Sequence, residues 1–311
     1  MRLVHNLNEY ITSVRMSKKK RVLVEGKDDR AHLSNLLNIA IGEGRIKIDV
    51  AAYLKGTCRV TSKNHRAKIQ AIHEACKSKD QFSNLFLLCD RETHLFNVED
   101  CIKDNLSSEN IEGNLFYTRG HSIENYFIDF EIVSVAYQFL TGSEHKLAAI
   151  ELFEKILPSV IRTIAAISLA AQQVNKLTFP IGVISWTDFK VVDSKIEFNI
   201  EHWKAARGDD LSIQFAEHYR KCLGKAENTD VITCARICRG HTAMQFLQRI
   251  FSLCLYEAAK KDDEKVAEDN AKDFSSIRES VVSNALCQSW LNSIQKGNEN
   301  FPVELVSTLS A

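Results

Sequence analysis

What this chain lacks narrows its reading. It has no net charge, since 40 lysines and arginines balance 40 aspartates and glutamates. There is no global electrostatic footprint for nucleic acid, so any such binding must rest on a local patch or on metal ions. No apolar run reaches the roughly 18 residues that a membrane span needs. The best candidate, residues 161–174, is broken by Arg162, Gln172 and Gln173. The nine cysteines include no Cys-x-x-Cys pair, and their number is odd. With no signal-peptide pattern at the N-terminus, the expectation is reduced thiols in a cytoplasmic protein. A GxxxxGK[ST] loop is missing, which argues against an intrinsic P-loop ATPase. No GxGxxG follows a strand and no GxSxG elbow occurs, so dinucleotide binding and serine-hydrolase chemistry are poor readings. There is no internal repeat and no low-complexity tract.

What is present centres on the stretch 20–38, KRVLVEGKDDRAHLSNLLN. Arg21-Val22-Leu23-Val24 is a short apolar, β-branched run that suits a strand buried on both faces. Glu25-Gly26 breaks it, and glycine permits the tight turn. Asp28 and Asp29 then stand where a helix begins, with negative charge at its positive end. Leu33, Leu36, Leu37 and Ala40 form one apolar stripe. The expected unit is strand, turn, helix, with Glu25 at the carboxyl end of the strand, where parallel α/β sheets gather ligands and chemistry.

A second acidic strand end lies downstream. Residues 84–89, NLFLLC, read as another buried strand that runs into Asp90-Arg91-Glu92. If the chain stays extended there, Asp90 and Glu92 point the same way, because side chains repeat every two residues. Facing Glu25 on a neighbouring strand, they would repel each other unless a cation is shared. Hard carboxylate oxygens of this kind suit magnesium or manganese. Taken singly, each acid reads as a cap or turn residue; together, in this order, they point to a metal site.

The run VEGKDD, followed by a buried strand ending in D-x-E, resembles the TOPRIM fold of primases, topoisomerases and OLD-type nucleases. Residues 117–127, YTRGHSIENYF, resemble the S-I-E-N-Y signature of DUF4435, a TOPRIM-related family. In size, order and helical tail the chain is similar to the effector subunit of the PARIS anti-phage system. The resemblance implies a metal-dependent nuclease with Glu25, Asp90 and Glu92 holding Mg2+ or Mn2+, Glu25 doubling as general acid or base. Glu92 departs from the usual D-x-D, and its extra methylene could move a second ion. Asp29 would support the site, although first-turn helix stabilisation is its simpler role. Glu124 is either a further site acid or a capping acid behind Ser122. Lys27 and Arg91 flank the acids and could touch phosphate or merely neutralise carboxylates. The resemblance further implies an RNA substrate, transfer RNA favoured, and an ABC-type, OLD-like ATPase partner that sequesters the effector until infection. An OLD-type DNA nuclease and a non-catalytic regulatory subunit of an ATPase are the rivals.

The expected architecture is an α/β domain over 1–130, with a mostly parallel TOPRIM-like sheet flanked by helices. A mainly helical domain over 131–311 follows, with a β insertion near 181–200. An amphipathic helix over 3–16 precedes the basic run Arg15, Lys18, Lys19, Lys20 and Arg21, which reads as a solvated charge run. The sequence further predicts a strand over 45–54, a helix over 60–77 with Lys63, Arg66 and Lys68 on a solvated side, a loop and short helix over 94–105, and a strand over 114–118. Helices over 132–140 and 147–174 follow, the second interrupted by Pro158. Strands are expected over 181–186, 189–192 and 195–200, with Asp193-Ser194 turning the last pair. Cys234, Cys238 and His241 have a spacing that puts them on one helical face, but no fourth ligand is evident, and buried small hydrophobes are the better reading. The apolar excess after residue 130 suggests a homodimer.

Overall fold

The computed structural model describes residues 5–311, and among them no helix is long and apolar enough to cross a membrane. The chain is α/β: a mixed, mostly parallel sheet flanked by helices, then a helical region with a small antiparallel sheet. In chain order come α1 (Leu7–Arg15), β1 (Arg21–Val24), α2 (Lys27–Ala40), β2 (Lys47–Val50), α3 (Arg59–Lys63), α4 (His65–Cys76) and β3 (Leu85–Cys89). Four short strands follow: β4 (Phe96–Val98), β5 (Ile102–Asp104), β6 (Asn110–Glu112) and β7 (Leu115–Tyr117). Then come α5 (Phe130–Leu140), α6 (Lys146–Gln173), α7 (Phe179–Val183), β8 (Phe189–Val192) and β9 (Lys195–Phe198). The rest is helical: α8 (Ile200–Arg207), α9 (Asp210–Glu227), α10 (Val231–Ile237), α11 (Gly240–Ala259), α12 (Glu264–Ser275), α13 (Glu279–Gln295) and α14 (Val303–Ser310). Two compact units form, both discontinuous in sequence. One takes residues up to 91, 106–123 and 294–311; the other takes 92–105 and 124–293.

The first unit is built on a five-stranded sheet in the order β2-β1-β3-β7-β6. β1 pairs in parallel with both β2 and β3, and β3 with β7; β6 closes the edge antiparallel. Every residue of β1 and β3 is buried, as expected for central strands covered on both faces. Leu7, Tyr10 and Val14 of α1 join Leu23, Ile69, Ile72 and Leu87 in one core, while Leu33, Leu36 and Leu37 of α2 are also buried. The glycine of the turn after β2 has a structural cause. A Cβ on Gly56 would lie 2.4 Å from the Ser62 nitrogen and the Thr61 carbonyl carbon, so glycine is required by the close pass of α3.

The last helix belongs to this unit. The Glu304 carboxylate accepts hydrogen bonds from the Ser108 hydroxyl (2.6 Å) and the Asn110 amide (2.9 Å) beside β6. Leu305, Val306 and Leu309 of α14 are buried, and the Lys20 ammonium donates to the Leu309 carbonyl at 2.9 Å.

The second unit is organised on α6, which packs against α9, α10 and α11. Tyr137, Phe153, Phe251 and Phe274 meet with ring centroids 4.9–6.2 Å apart. Trp290 is fully buried and lies against Tyr126 and Phe127, at 6.1 and 5.1 Å. The β4–β5 hairpin is tied to this unit by the Ile102 amide donating to Thr229 (2.9 Å) and by Arg236 pairing with Asp104 (3.0 Å).

Several expectations are corrected. Residues 3 and 4 of the first expected helix lie outside the described residues; α1 starts at Leu7, behind an Asn6 cap. The helix over 60–77 is two helices, because Asn64 is extended and its side chain caps α4 by accepting from Ala67 at 2.9 Å. Lys68 is buried rather than solvated. Residues 94–105 form a β hairpin instead of a loop and helix. α6 runs through Pro158 without a break. The burial of Ile156, Leu157, Val160 and Ile161 around it outweighs a proline cost of roughly 3 kcal/mol. Residues 181–186 are not a strand. Pro180 stands in the first turn of α7, where its fixed φ and missing N–H favour a helix start. The hairpin β8–β9 does form, and Asp193 and Ser194 both have positive φ, 48° and 59°, the signature of a type I′ turn.

Candidate functional site

Glu25 and Asp90 both lie in the first unit, at the carboxyl ends of its two central parallel strands. The register that pairs Leu23 with Leu87 sets Glu25 level with Cys89. The Asp90 amide donates to Glu25 Oε1 at 3.1 Å, so the two acidic positions are joined directly. The Glu25 carbonyl in turn accepts from the Ala52 amide at 3.1 Å. Lys68 steadies the turn that supplies Ala52, donating its ammonium to the Ala51 and Leu54 carbonyls at 3.1 and 2.6 Å. Both acids are half-buried.

The Cys89 thiol registers the charge gathered there. Burial pushes its pKa well up; Glu25 adds to the rise, Arg66 opposes it, and Asp90 and Asp29 raise it further. Three carboxylates and one guanidinium therefore act on one strand end. Asp29 Oδ2 accepts the Gly26 amide at 2.7 Å, which closes the first turn of α2 and gives Asp29 the helix-stabilising role. Arg66, read from sequence as part of a solvated face, is half-buried. Its guanidinium donates to the Arg91 carbonyl at 3.4 Å and to the Tyr117 hydroxyl at 3.3 Å. The sequence offered no signal for it beyond helical spacing.

Glu92 does not follow the expected extended path. β3 ends at Cys89, and Glu92 has a left-handed φ of 53°. The physical reason is Arg91, whose side chain is wholly buried. Its amide donates to Thr118 Oγ1 at 3.0 Å and its guanidinium to the Arg119 carbonyl at 2.8 Å. The chain is fastened just past Asp90 and turns, leaving Glu92 exposed and within the second unit. Arg91 thus serves the fold rather than projecting from it. Lys27 is exposed at the start of α2, with its ammonium 5.8 Å from the Tyr53 ring centroid.

Oxygen donors alone, on two adjoining strand ends, suit a hard divalent cation. Glu25 and Asp90 are carboxylate residues of this kind at adjoining strand ends of the first unit, and Asp29 follows in the first turn of α2. A different grouping, His73, Glu74 and Glu112, brings its ligand atoms within 4.8 Å of one another. There Lys77 already pairs with both carboxylates, at 3.0 and 3.5 Å.

Glu124 lies in the second unit, buried in a short 3-10 turn, Ile123–Phe127. His241 stands between two carboxylates, with Nε2 3.6 Å from Glu124 and Nδ1 2.6 Å from Glu279. Asn125 donates to the Ala235, Arg236 and Cys238 carbonyls at 2.7, 3.3 and 2.8 Å, and so caps α10. The cysteines do not share a helical face with His241, because α10 ends at Ile237 and α11 begins at Gly240. Cys238 donates to the Cys234 carbonyl at 3.1 Å and Cys234 to the Ala226 carbonyl at 3.5 Å. Burial raises the pKa of both thiols.

Burial lowers the His241 pKa, but Glu124 and Glu279 together outweigh it and leave the pKa raised above 6.5, with Arg239 opposing. A raised histidine pKa stabilises the fold fully below 6.5, and that contribution fades as pH climbs through the folded value. His241→Gln is expected to flatten this part of the profile of thermal midpoint against pH. The effect is small because the side chain is 43% exposed. An unchanged profile would show that the pairs do not couple to folding.

No family model matches this chain, and no relative was found among curated proteins.

Proposed function

We propose that the chain is a divalent-metal-dependent endonuclease of TOPRIM type. It acts as a cytoplasmic effector on RNA, transfer RNA in particular, under the control of a separate ATPase and as a homodimer. The observation that carries the reading is the join between Glu25 and Asp90 at the ends of adjacent parallel strands, at 3.1 Å. In open α/β sheets this is where ligands bind. Glu25 and Asp90 are the ligands for Mg2+ or Mn2+; Glu92, turned out of the strand path and within the second unit, is left out of the set. When bound, the ion neutralises charge on a phosphate and makes a water nucleophilic near neutral pH.

The chain's own groups do the rest. The Asp90 amide holds Glu25 Oε1. Arg66 places positive charge beside the acids. Asp29 and Gly26 fix the turn from which Glu25 projects. Glu124, in the second unit, is paired with His241, and that pairing supports a structural part for it.

The test is induced expression in bacteria of the wild type and Glu25→Ala, with and without the candidate ATPase partner, following transfer RNA, total RNA and genomic DNA. Growth arrest with discrete transfer-RNA fragments, lost in the alanine variant, is the expected result. Degraded DNA with intact RNA would redirect the reading to an OLD-type DNA nuclease. Arrest that persists in Glu25→Ala would remove the catalytic assignment.

A further inference from the structure

A basic concavity of the first unit lies along β2. β2 is the edge strand of the sheet. It floors a trough of about 1180 Å³ walled by residues of α1 and α2, among them Ser13 and Ser34. Lys19, Arg30, Lys47 and Lys55 line it and are all exposed. One lining carboxylate faces them, Asp49, and it is already held by Arg21 at 2.7 Å and approached by Lys47 at 3.7 Å. In a chain with zero net charge, this is a local excess of positive charge on one concave surface. The sequence showed only part of it. Lys19 and Arg21 belong to the basic run that leads into β1, but Arg21 is buried as the partner of Asp49. Arg30, Lys47 and Lys55 come from elsewhere in the chain and meet there only through the fold.

The trough also has a direction. Its lining includes Ala52 and Tyr53, which follow β2. The Ala52 amide is hydrogen-bonded to the Glu25 carbonyl, so one end of the trough adjoins the residue at the head of the acidic site. Tyr53 offers a half-exposed ring there, with the Lys27 ammonium 5.8 Å from its centroid. A lane of cations with an aromatic ring is how proteins track one polynucleotide strand.

The geometry points to this trough as the track for the phosphate backbone of a single-stranded polynucleotide leading toward Glu25, an inference that rests on the nuclease reading of that site. An acidic peptide added to the edge strand would use the same cations. The adjoining carboxylates and the aromatic ring favour the polynucleotide.

The test uses the full chain and fluorescence anisotropy with a labelled mixed-sequence single-stranded RNA, its DNA equivalent, and a polyglutamate peptide. Four exposed cations give a slope of about −3 for log affinity against log salt, and Lys47→Ala/Lys55→Ala should shrink it by about 1.4 while weakening binding roughly tenfold. Lys47→Arg/Lys55→Arg should retain both, which separates charge from folding. Lys190→Ala/Lys195→Ala, on the β8–β9 hairpin, is the control and should change neither. Tight binding of either oligonucleotide through the trough supports the track, and the tighter of the two names the substrate. Oligonucleotide binding indifferent to the Lys47/Lys55 change overturns it, as does tight polyglutamate binding with none of RNA or DNA. Glu25→Ala should bind as the wild type does. Groove-dependent binding without any cleavage would leave the track standing and sink the nuclease reading; Glu25-dependent cleavage with groove-independent binding would do the reverse.

Discussion

Asp90→Ala is expected to reduce phosphodiester cleavage by the purified protein in Mg2+ by on the order of a thousandfold, the scale of losing one electrostatic anchor of a reacting centre. The expectation rests on position. Asp90 follows a wholly buried strand, its amide is bound to Glu25, and its backbone is followed at once by the fastened Arg91. Its backbone is therefore held on both sides. Asp28→Ala is the matched control. Asp28 is exposed in the first turn of α2, so its loss should cost only a few tenths of a kcal/mol of helix stability and leave cleavage intact. Glu92→Ala is the informative companion. A loss equal to that of Asp90→Ala would place Glu92 in the same centre; wild-type cleavage would confine the centre to Glu25 and Asp90. Full activity of Asp90→Ala in EDTA-sensitive cleavage would sink the assignment.

Trp290→Ala is expected to produce the largest loss of stability in the second unit, about 3–5 kcal/mol, from lost burial and the cavity left behind. Trp290 is wholly buried and fills the space against Tyr126 and Phe127, directly after the Glu124-Asn125 pair. Phe127 and Tyr126 would then face a void, and the turn that holds Glu124 would lose its backing. Trp186→Ala should cost clearly less, since Trp186 is half-exposed and meets Tyr256 alone among the described rings, tilted to it at 5.5 Å. Denaturant unfolding followed by circular dichroism reads both. Equal losses for the two tryptophans would show that the Tyr126–Phe127–Trp290 cluster carries no special weight.

What could be read from the sequence follows from how strongly each signal is local. β1 and β3 were legible because Val22-Leu23-Val24 and Leu85 to Cys89 are apolar on every residue, a pattern that only a doubly covered strand needs. β6 was not, because Asn110-Ile111-Glu112 is short, polar and held at an edge by Glu304 from far along the chain. The α3–α4 break was hidden because Asn64 sits inside an otherwise helical pattern and acts as a cap only once the chain bends. Pro158 misled in the opposite sense, since its breaking tendency is local while the burial that overrides it is tertiary. At the site, Glu25 and Asp90 were visible as acids closing buried runs. The turn at Glu92 was invisible, because it depends on Arg91 meeting Thr118 and Arg119, partners some 28 residues away. His241 drew attention for its spacing from two cysteines, whereas its actual partners, Glu124 and Glu279, are distant in sequence.

The return of α14 to the first unit bears on when that unit is completed. A ribosome delivers β1, β2, β3 and β7 early, yet Ser108, Asn110 and Lys20 must wait for Glu304 and Leu309 before their bonds can close. The five strands of the sheet are all delivered by residue 117, whereas the bonds that fasten its β6 edge and Lys20 come from residues almost two hundred positions later or more.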